Sequence, residues 1–299
     1  MRIPDTVYIG LQKTGSAFLR SYFSQHPGIA WRRHATMFQL DPFVREQYLA
    51  RFADEKDCDC LVDMYEGLAV GYHLGKAAKW DSAIALAPEG MLDGCLMIPG
   101  QRDTADRIRT ALPDARIVIT LRNQVDWLRS NYLHYMLALP SKRRRFPDFL
   151  QTREGKLLLA AGAYDHLLTL YRKVFGPKRV HVILLEDVVT DEAGVLRGLC
   201  EFLGVDYVPF DPAARKYNTG IGPERGALIR AYSALGISDA TARRLRPWFS
   251  RMERLAADWL KMPALSAEEE AMVHAFYAVS NYYTSRILGR DLQPLGYVC

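Results

Sequence analysis

Apolar and polar positions along this 299-residue chain change period in a regular way. Residues 6–10 form a short apolar run, the pattern of a strand buried on both faces. A helix-like pattern covers 15–25, and His26-Pro27-Gly28 stops it. Pro cannot continue a helix, and Gly tolerates left-handed backbone. The pattern further predicts short strands at 29–31 and 61–65 and helices at 41–52, 68–79 and 103–112. Residues 116–121, Arg-Ile-Val-Ile-Thr-Leu, give the strongest strand signal, a β-branched run suited to the centre of a parallel sheet. Helices at 123–137, 157–174 and 192–203 surround a further strand at 180–185. From Gly222 onward the periodicity is helical, ending with 267–288. Strands alternating with helices imply an α/β fold with a parallel, doubly wound sheet. Ligands of such sheets bind beyond the carboxyl ends of the strands. There is no repeat or low-complexity linker, so 1–299 reads as one domain.

Composition narrows the partners. The net charge of +5 suits a polyanionic ligand but is too small and dispersed to argue for nucleic acid. The five Cys are odd in number and irregularly spaced, which argues against a disulfide framework. Cys58-Asp59-Cys60 lacks a second Cys/His pair at matching spacing, so no metal is expected. The opening residues run straight into the first strand with no signal-peptide pattern, and no apolar run could span a bilayer. A cytoplasmic location is the expectation.

One junction carries chemistry. Residues 7–19, VYIGLQKTGSAFL, join a strand to a helix through Lys13-Thr14-Gly15-Ser16. Backbone N–H groups, two hydroxyls and an ammonium thus gather at a helix N-terminus, where unpaired N–H groups and the helix dipole favour anions. In the nucleoside-triphosphate P-loop the Lys follows the last Gly; here Lys13 precedes Gly15. Arg122 directly follows the strand at 116–121. Its guanidinium suits a two-point grip on phosphate, or a pair with Asp126 one turn on. Ser130 lies eight residues further, a little over two turns, and returns to the same helix face.

These segments resemble the sulfotransferase family that uses 3′-phosphoadenosine 5′-phosphosulfate (PAPS), in particular its bacterial and carbohydrate- or heparan-type domains. Residues 113–132, PDARIVITLRNQVDWLRSNY, are similar to the segment that binds the donor's 3′-phosphate. Residues 182–188, 196–204 and 289–297 also look like bacterial members, so the resemblance spans about the whole chain. It implies a three-layer sandwich with a P-loop-like phosphate-binding turn, PAPS as donor, adenosine 3′,5′-bisphosphate (PAP) as product, and no metal. Lys13 would contact the bridging oxygen between sulfate and 5′-phosphate. Thr14, Gly15, Ser16, Ala17 and Phe18 would wrap that phosphate, mainly through backbone N–H groups. Arg122 and Ser130 would hold the 3′-phosphate, and Arg215-Lys216 would close on it from a later loop. Ala17 departs from the pattern of two hydroxyls after the Gly, Asn123-Gln124 from an acid–Pro pair, and Leu185 from an adenine-facing Tyr.

The acceptor hydroxyl needs a base, and His34 in Arg33-His34 stands where a Lys-Glu pair is common in the family. Glu66 and His73 are the alternatives. Trp31, with Phe38, Tyr65 and Tyr72, could line an acceptor pocket, although such aromatics more often serve the core. Lys142-Arg143-Arg144-Arg145 is either a solvated loop or a contact for an acidic acceptor. The helix at 267–288 either seals the core or meets a second copy in a homo-oligomer. The function expected is sulfuryl transfer to a hydroxyl or amine of a glycan, lipid or small molecule. Two other classes stand beside it: a P-loop phosphotransferase, disfavoured by Arg122 where a magnesium-binding Asp is needed, and a non-catalytic PAP binder.

Overall fold

The computed structural model describes residues 5–11, 13–34, 58–65, 101–138, 145–211 and 265–299. The expected helices at 41–52 and 68–79 and the helical stretch from Gly222 to residue 264 lie outside them, as do Phe38, Glu66, Tyr72, His73, Lys142-Arg143-Arg144, Arg215 and Lys216; the last expected helix, 267–288, is described.

Among the described residues, five parallel strands form one sheet in the order β2-β3-β1-β4-β5. They are β1 (Thr6–Tyr8), β2 (Ile29–His34), β3 (Cys60–Tyr65), β4 (Arg116–Leu121) and β5 (Val180–Leu184). β1 is central, with Tyr8 registered between Met64 of β3 and Val118 of β4. Alternate residues of its strands feed two cores. Val7, Ile9, Leu61, Ile117 and Ile119 face one side, and Tyr8, Cys60, Val62 and Val118 the other. This alternation follows from the period of two along a strand.

Against the first face pack α2 (Gln101–Ala111), α3 (Gln124–Ala138), α4 (Phe146–Leu150), α5 (Arg153–Ala161), α6 (Tyr164–Phe175) and α9 (Ala267–Leu288). Against the second pack α1 (Ser16–Phe23) and α8 (Glu192–Leu203), with the short α7 (Leu185–Thr190) alongside. The result is the parallel, doubly wound sheet that the strand–helix alternation implied, in the three-layer α/β sandwich that the family resemblance implied. Among the described residues, no helix is long and apolar enough to cross a membrane.

Several boundaries differ from the sequence pattern; β1, for one, stops at Tyr8 and not at Gly10. The expected helix at 157–174 is two helices, broken at Gly162-Ala163. The Gly162 carbonyl accepts from Gln124 Nε2 at 3.2 Å, and the Tyr277 hydroxyl sits over Gly162 and donates to Leu159 O at 2.8 Å. Tertiary partners thus take carbonyls that a continuous helix would use. β5 stops at Leu184, because Glu186 and Asp187 suit the first turn of a helix, here α7. β2 runs on to His34, paired throughout with β3.

The direction of the chain reverses at β1. From β1 it leads through α1 to β2 on one side, and from β4 through α3–α6 to β5 on the other. The crevice beyond the ends of β1 and β4 is therefore the switch point where ligands of such sheets bind.

Candidate active site

The turn after β1 is shaped by its backbone. Lys13 has φ 68° and Gly15 φ 105°, both left-handed, while Thr14 between them does not. Such alternation turns successive N–H groups to one side, the concavity that binds anions. Gly15 is the N-cap of α1 and supplies no side-chain cap. The N–H groups of Ser16 and Ala17 meet no acceptor among the described residues, and the first turn of α1 carries no acid. That combination leaves donors open at a helix N-terminus, an arrangement that favours anions. Phe18 contributes differently: its N–H returns to Gly15 O at 3.0 Å, and its ring is buried edge-on against Phe210.

Thr14 is fully buried, and its hydroxyl works inward. It donates to Leu11 O at 2.5 Å and meets Thr120 Oγ1 at 2.7 Å, which in turn meets the Tyr8 hydroxyl at 2.6 Å. With one proton per hydroxyl, the chain runs Tyr8 to Thr120 to Thr14 to Leu11. It stitches the turn to β4. Burial pushes the Tyr8 phenol up to about 12, so it stays a donor at ordinary pH. Gly10 is required beside it, because a Cβ there would fall 1.8 Å from the Tyr8 oxygen. Of Thr14, therefore, the backbone alone is left to face a ligand.

Arg122 leaves the end of β4 beside that turn, half-buried. Its guanidinium stands 3.7 Å from Asp126, a partly exposed i,i+4 pair of the kind that contributes little. Ser130 follows Asp126 by one turn and is half-buried on α3. The structure thus brings Arg122, Asp126 and Ser130 to one side of α3. Asn123 caps that helix, its Oδ1 accepting from Val125 N–H at 3.0 Å. Leu185 packs over Gly15, 2.9 Å from where a Cβ would be, so the ends of β1, β4 and β5 converge.

The residues proposed for the acceptor stand apart. The backbone of His34 ends β2 at the same carboxyl edge, in register with Tyr65 of β3. Two strand spacings separate it from β1, about 10 Å. Trp31 lies mid-strand, packs on the second core, and donates from Nε1 to Ser24 Oγ at 3.0 Å.

Several residues at the site carry weak sequence signals. Thr120 and Tyr8 look like ordinary strand positions. Glu186 directly follows the apolar run at 180–185, as Arg122 follows that at 116–121, and that was its one legible sign. Burial pushes its carboxyl upward, against hydrogen bonds from Asn123 N–H and the Tyr297 hydroxyl and the charge of Arg122.

A model described as "Sulfotransferase family" matches residues 4–209, about two-thirds of the chain. The chain belongs to the sulfotransferase family. A sulfotransferase from Alicyclobacillus acidocaldarius overlays on it with a TM-score of 0.63 at 20% identity, covering 99% of this chain and 100% of that one. It shares the fold. Two looser overlays, both with a TM-score of 0.44, are the sulfotransferase domains of the Synechococcus PCC 7002 olefin synthase and of the curacin biosynthetic pathway. The former is 14% identical, covering 93% of this chain and 96% of that one; the latter is 16% identical, covering 99% of each. No curated protein matches the sequence significantly. This sulfotransferase is therefore an enzyme of sulfuryl transfer, built on a parallel sheet with the left-handed turn after β1 at the switch point.

Proposed function

We propose that this sulfotransferase moves a sulfuryl group from PAPS to a hydroxyl or amine of a glycan, lipid or small-molecule acceptor. The observation that carries the reading is the left-handed turn at Lys13 and Gly15, opening N–H groups beside Arg122 across the switch crevice. The donor set fits a doubly phosphorylated nucleotide. Gly15, Ser16 and Ala17 offer N–H groups to the 5′-phosphate, and Arg122 with Ser130 offers a guanidinium and a hydroxyl to the 3′-phosphate. Arg215 and Lys216 belong to the same proposal.

The donor supplies an activated sulfuryl group. The acceptor oxygen attacks sulfur in line, a new S–O bond forms, and the S–O bond to the 5′-phosphate breaks. Charge then builds on the departing phosphate oxygen, where the Lys13 ammonium stabilises the transition state more than the ground state. His34 takes the acceptor's proton, an imidazole being suited to that at neutral pH; Glu66 and His73 are the other candidates. PAP leaves, and no metal takes part.

Transfer of labelled sulfate from PAPS to a panel of oligosaccharides and hydroxyl compounds tests this. Lys13→Ala should lower turnover at least about 100-fold with the fold intact; near-wild-type turnover would remove Lys13 from its role. His34→Ala should lose turnover while keeping donor affinity. If turnover is unchanged, the base is Glu66 or His73. Binding of PAP without any transfer would favour the binding-protein reading.

A further inference from the structure

The corner that carries Arg122 is held from behind by the end of the chain. Arg122 C=O and Asn123 N–H belong to one peptide unit, and both are occupied. The Tyr164 hydroxyl donates to Arg122 O at 2.7 Å, and Asn123 N–H donates to Glu186 Oε1 at 2.7 Å. The other oxygen of Glu186 accepts from the Tyr297 hydroxyl at 3.1 Å, and Asn123 Nδ2 donates to Gly296 O at 2.6 Å. The terminal segment is itself anchored. Arg290 forks onto Asp187 at 2.6 and 2.9 Å, and Asn281 Nδ2 donates to Val298 O at 2.9 Å. Tyr297 is fully buried in the first core.

Clamping a peptide plane on both edges fixes ψ of the residue before it. The N–H side of Arg122 continues β4, so its Cα is set from both directions, and with it the line along which the side chain leaves. A guanidinium must meet a phosphate in a defined plane to make two bonds, so a small rotation of its root is costly. We infer that Glu186 and Tyr297 are positioning residues that orient Arg122 toward the 3′-phosphate of the donor nucleotide. This rests on the PAPS reading above. The negative charge of Glu186 opposes an incoming phosphate, so its contribution here is geometric: two acceptor oxygens at the right places.

Geometry and charge separate by substitution. A glutamine at 186 can accept from Asn123 N–H and donate its amide N–H to the Tyr297 oxygen, which a hydroxyl permits. An alanine can do neither. The experiment is titration of PAP and of adenosine 5′-monophosphate, which lacks the 3′-phosphate, into wild type, Glu186→Ala, Glu186→Gln and Tyr297→Phe. Glu186→Ala should weaken PAP about tenfold, the scale of one or two net hydrogen bonds, and leave the monophosphate within about twofold. Glu186→Gln should restore PAP binding. Tyr297→Phe should fall between, and it carries the test alone if Glu186→Ala does not fold. Wild-type PAP affinity in Tyr297→Phe and Glu186→Ala, equal weakening of both nucleotides, or no recovery with Gln would each overturn the strap's role. A wild-type protein that binds both nucleotides equally overturns the PAPS reading, and the strap's role with it.

Discussion

Thr14 has been drawn into the fold, although its place in the turn suggested a ligand contact. Its hydroxyl ends a chain of three, from Tyr8 through Thr120, in a region buried from solvent. Thr120→Val removes the middle link and leaves a buried phenol and a buried hydroxyl to find other partners. The expected cost is about 1–3 kcal/mol in chemical denaturation, the penalty for buried polar groups left unsatisfied. An unchanged midpoint would show that the two hydroxyls re-pair without Thr120. The same chain shows what a sequence can and cannot say about single residues. Lys13 and Arg122 were legible because a turn after a buried strand is a local fact. Thr14's partner lies 106 positions away, and only the β1–β4 register brings it into contact. Asp126 was weighed as the partner of Arg122 and is found there, because i,i+4 spacing is also local.

The strands were more legible than the helices at the scale of elements. A β-branched run such as Ile117-Val118-Ile119 states its own burial, whereas the ends of helices depend on what else touches them. Gly162 is the clearest case. Its φ of −77° is ordinary for any residue, so periodicity alone carried a helix across it. The break comes with the Gln124 and Tyr277 side chains that take the helix's carbonyls, and the Tyr277 ring atoms lie 2.4 to 2.9 Å from where a Cβ at Gly162 would stand. That ring is buried and cannot swing aside. Gly162→Ala should therefore cost about 1–3 kcal/mol through overpacking, read as a lower unfolding midpoint. A stabilised variant would mean that helix propensity outweighs the α5–α6–α9 contact. The short α7 escaped notice for a similar reason: its six residues read as the tail of an apolar strand until Glu186 and Asp187 are seen as first-turn acids.

For the whole molecule, the strand order sets the turn after β1 and Arg122 on either side of one crevice, each rooted in a different strand–helix unit. A ligand that grips both ties those units together, and it has no counterpart in the unfolded chain. Its binding must therefore appear as stability. At one hundred times its dissociation constant, such a ligand adds about 2.7 kcal/mol. For a chain of this size that is a rise of roughly 4–5 °C in the unfolding midpoint. PAP should give that shift, and ATP with magnesium should give much less, because Lys13 precedes Gly15 and β4 leads into Arg122, not into a magnesium-binding acid. A larger shift with ATP and magnesium would make the chain a phosphotransferase in the manner of a P-loop enzyme. Arg122→Ala sharpens the comparison: if the guanidinium reads the 3′-phosphate, the shift from PAP should fall to that from adenosine 5′-monophosphate, while the monophosphate's own shift stays where it was.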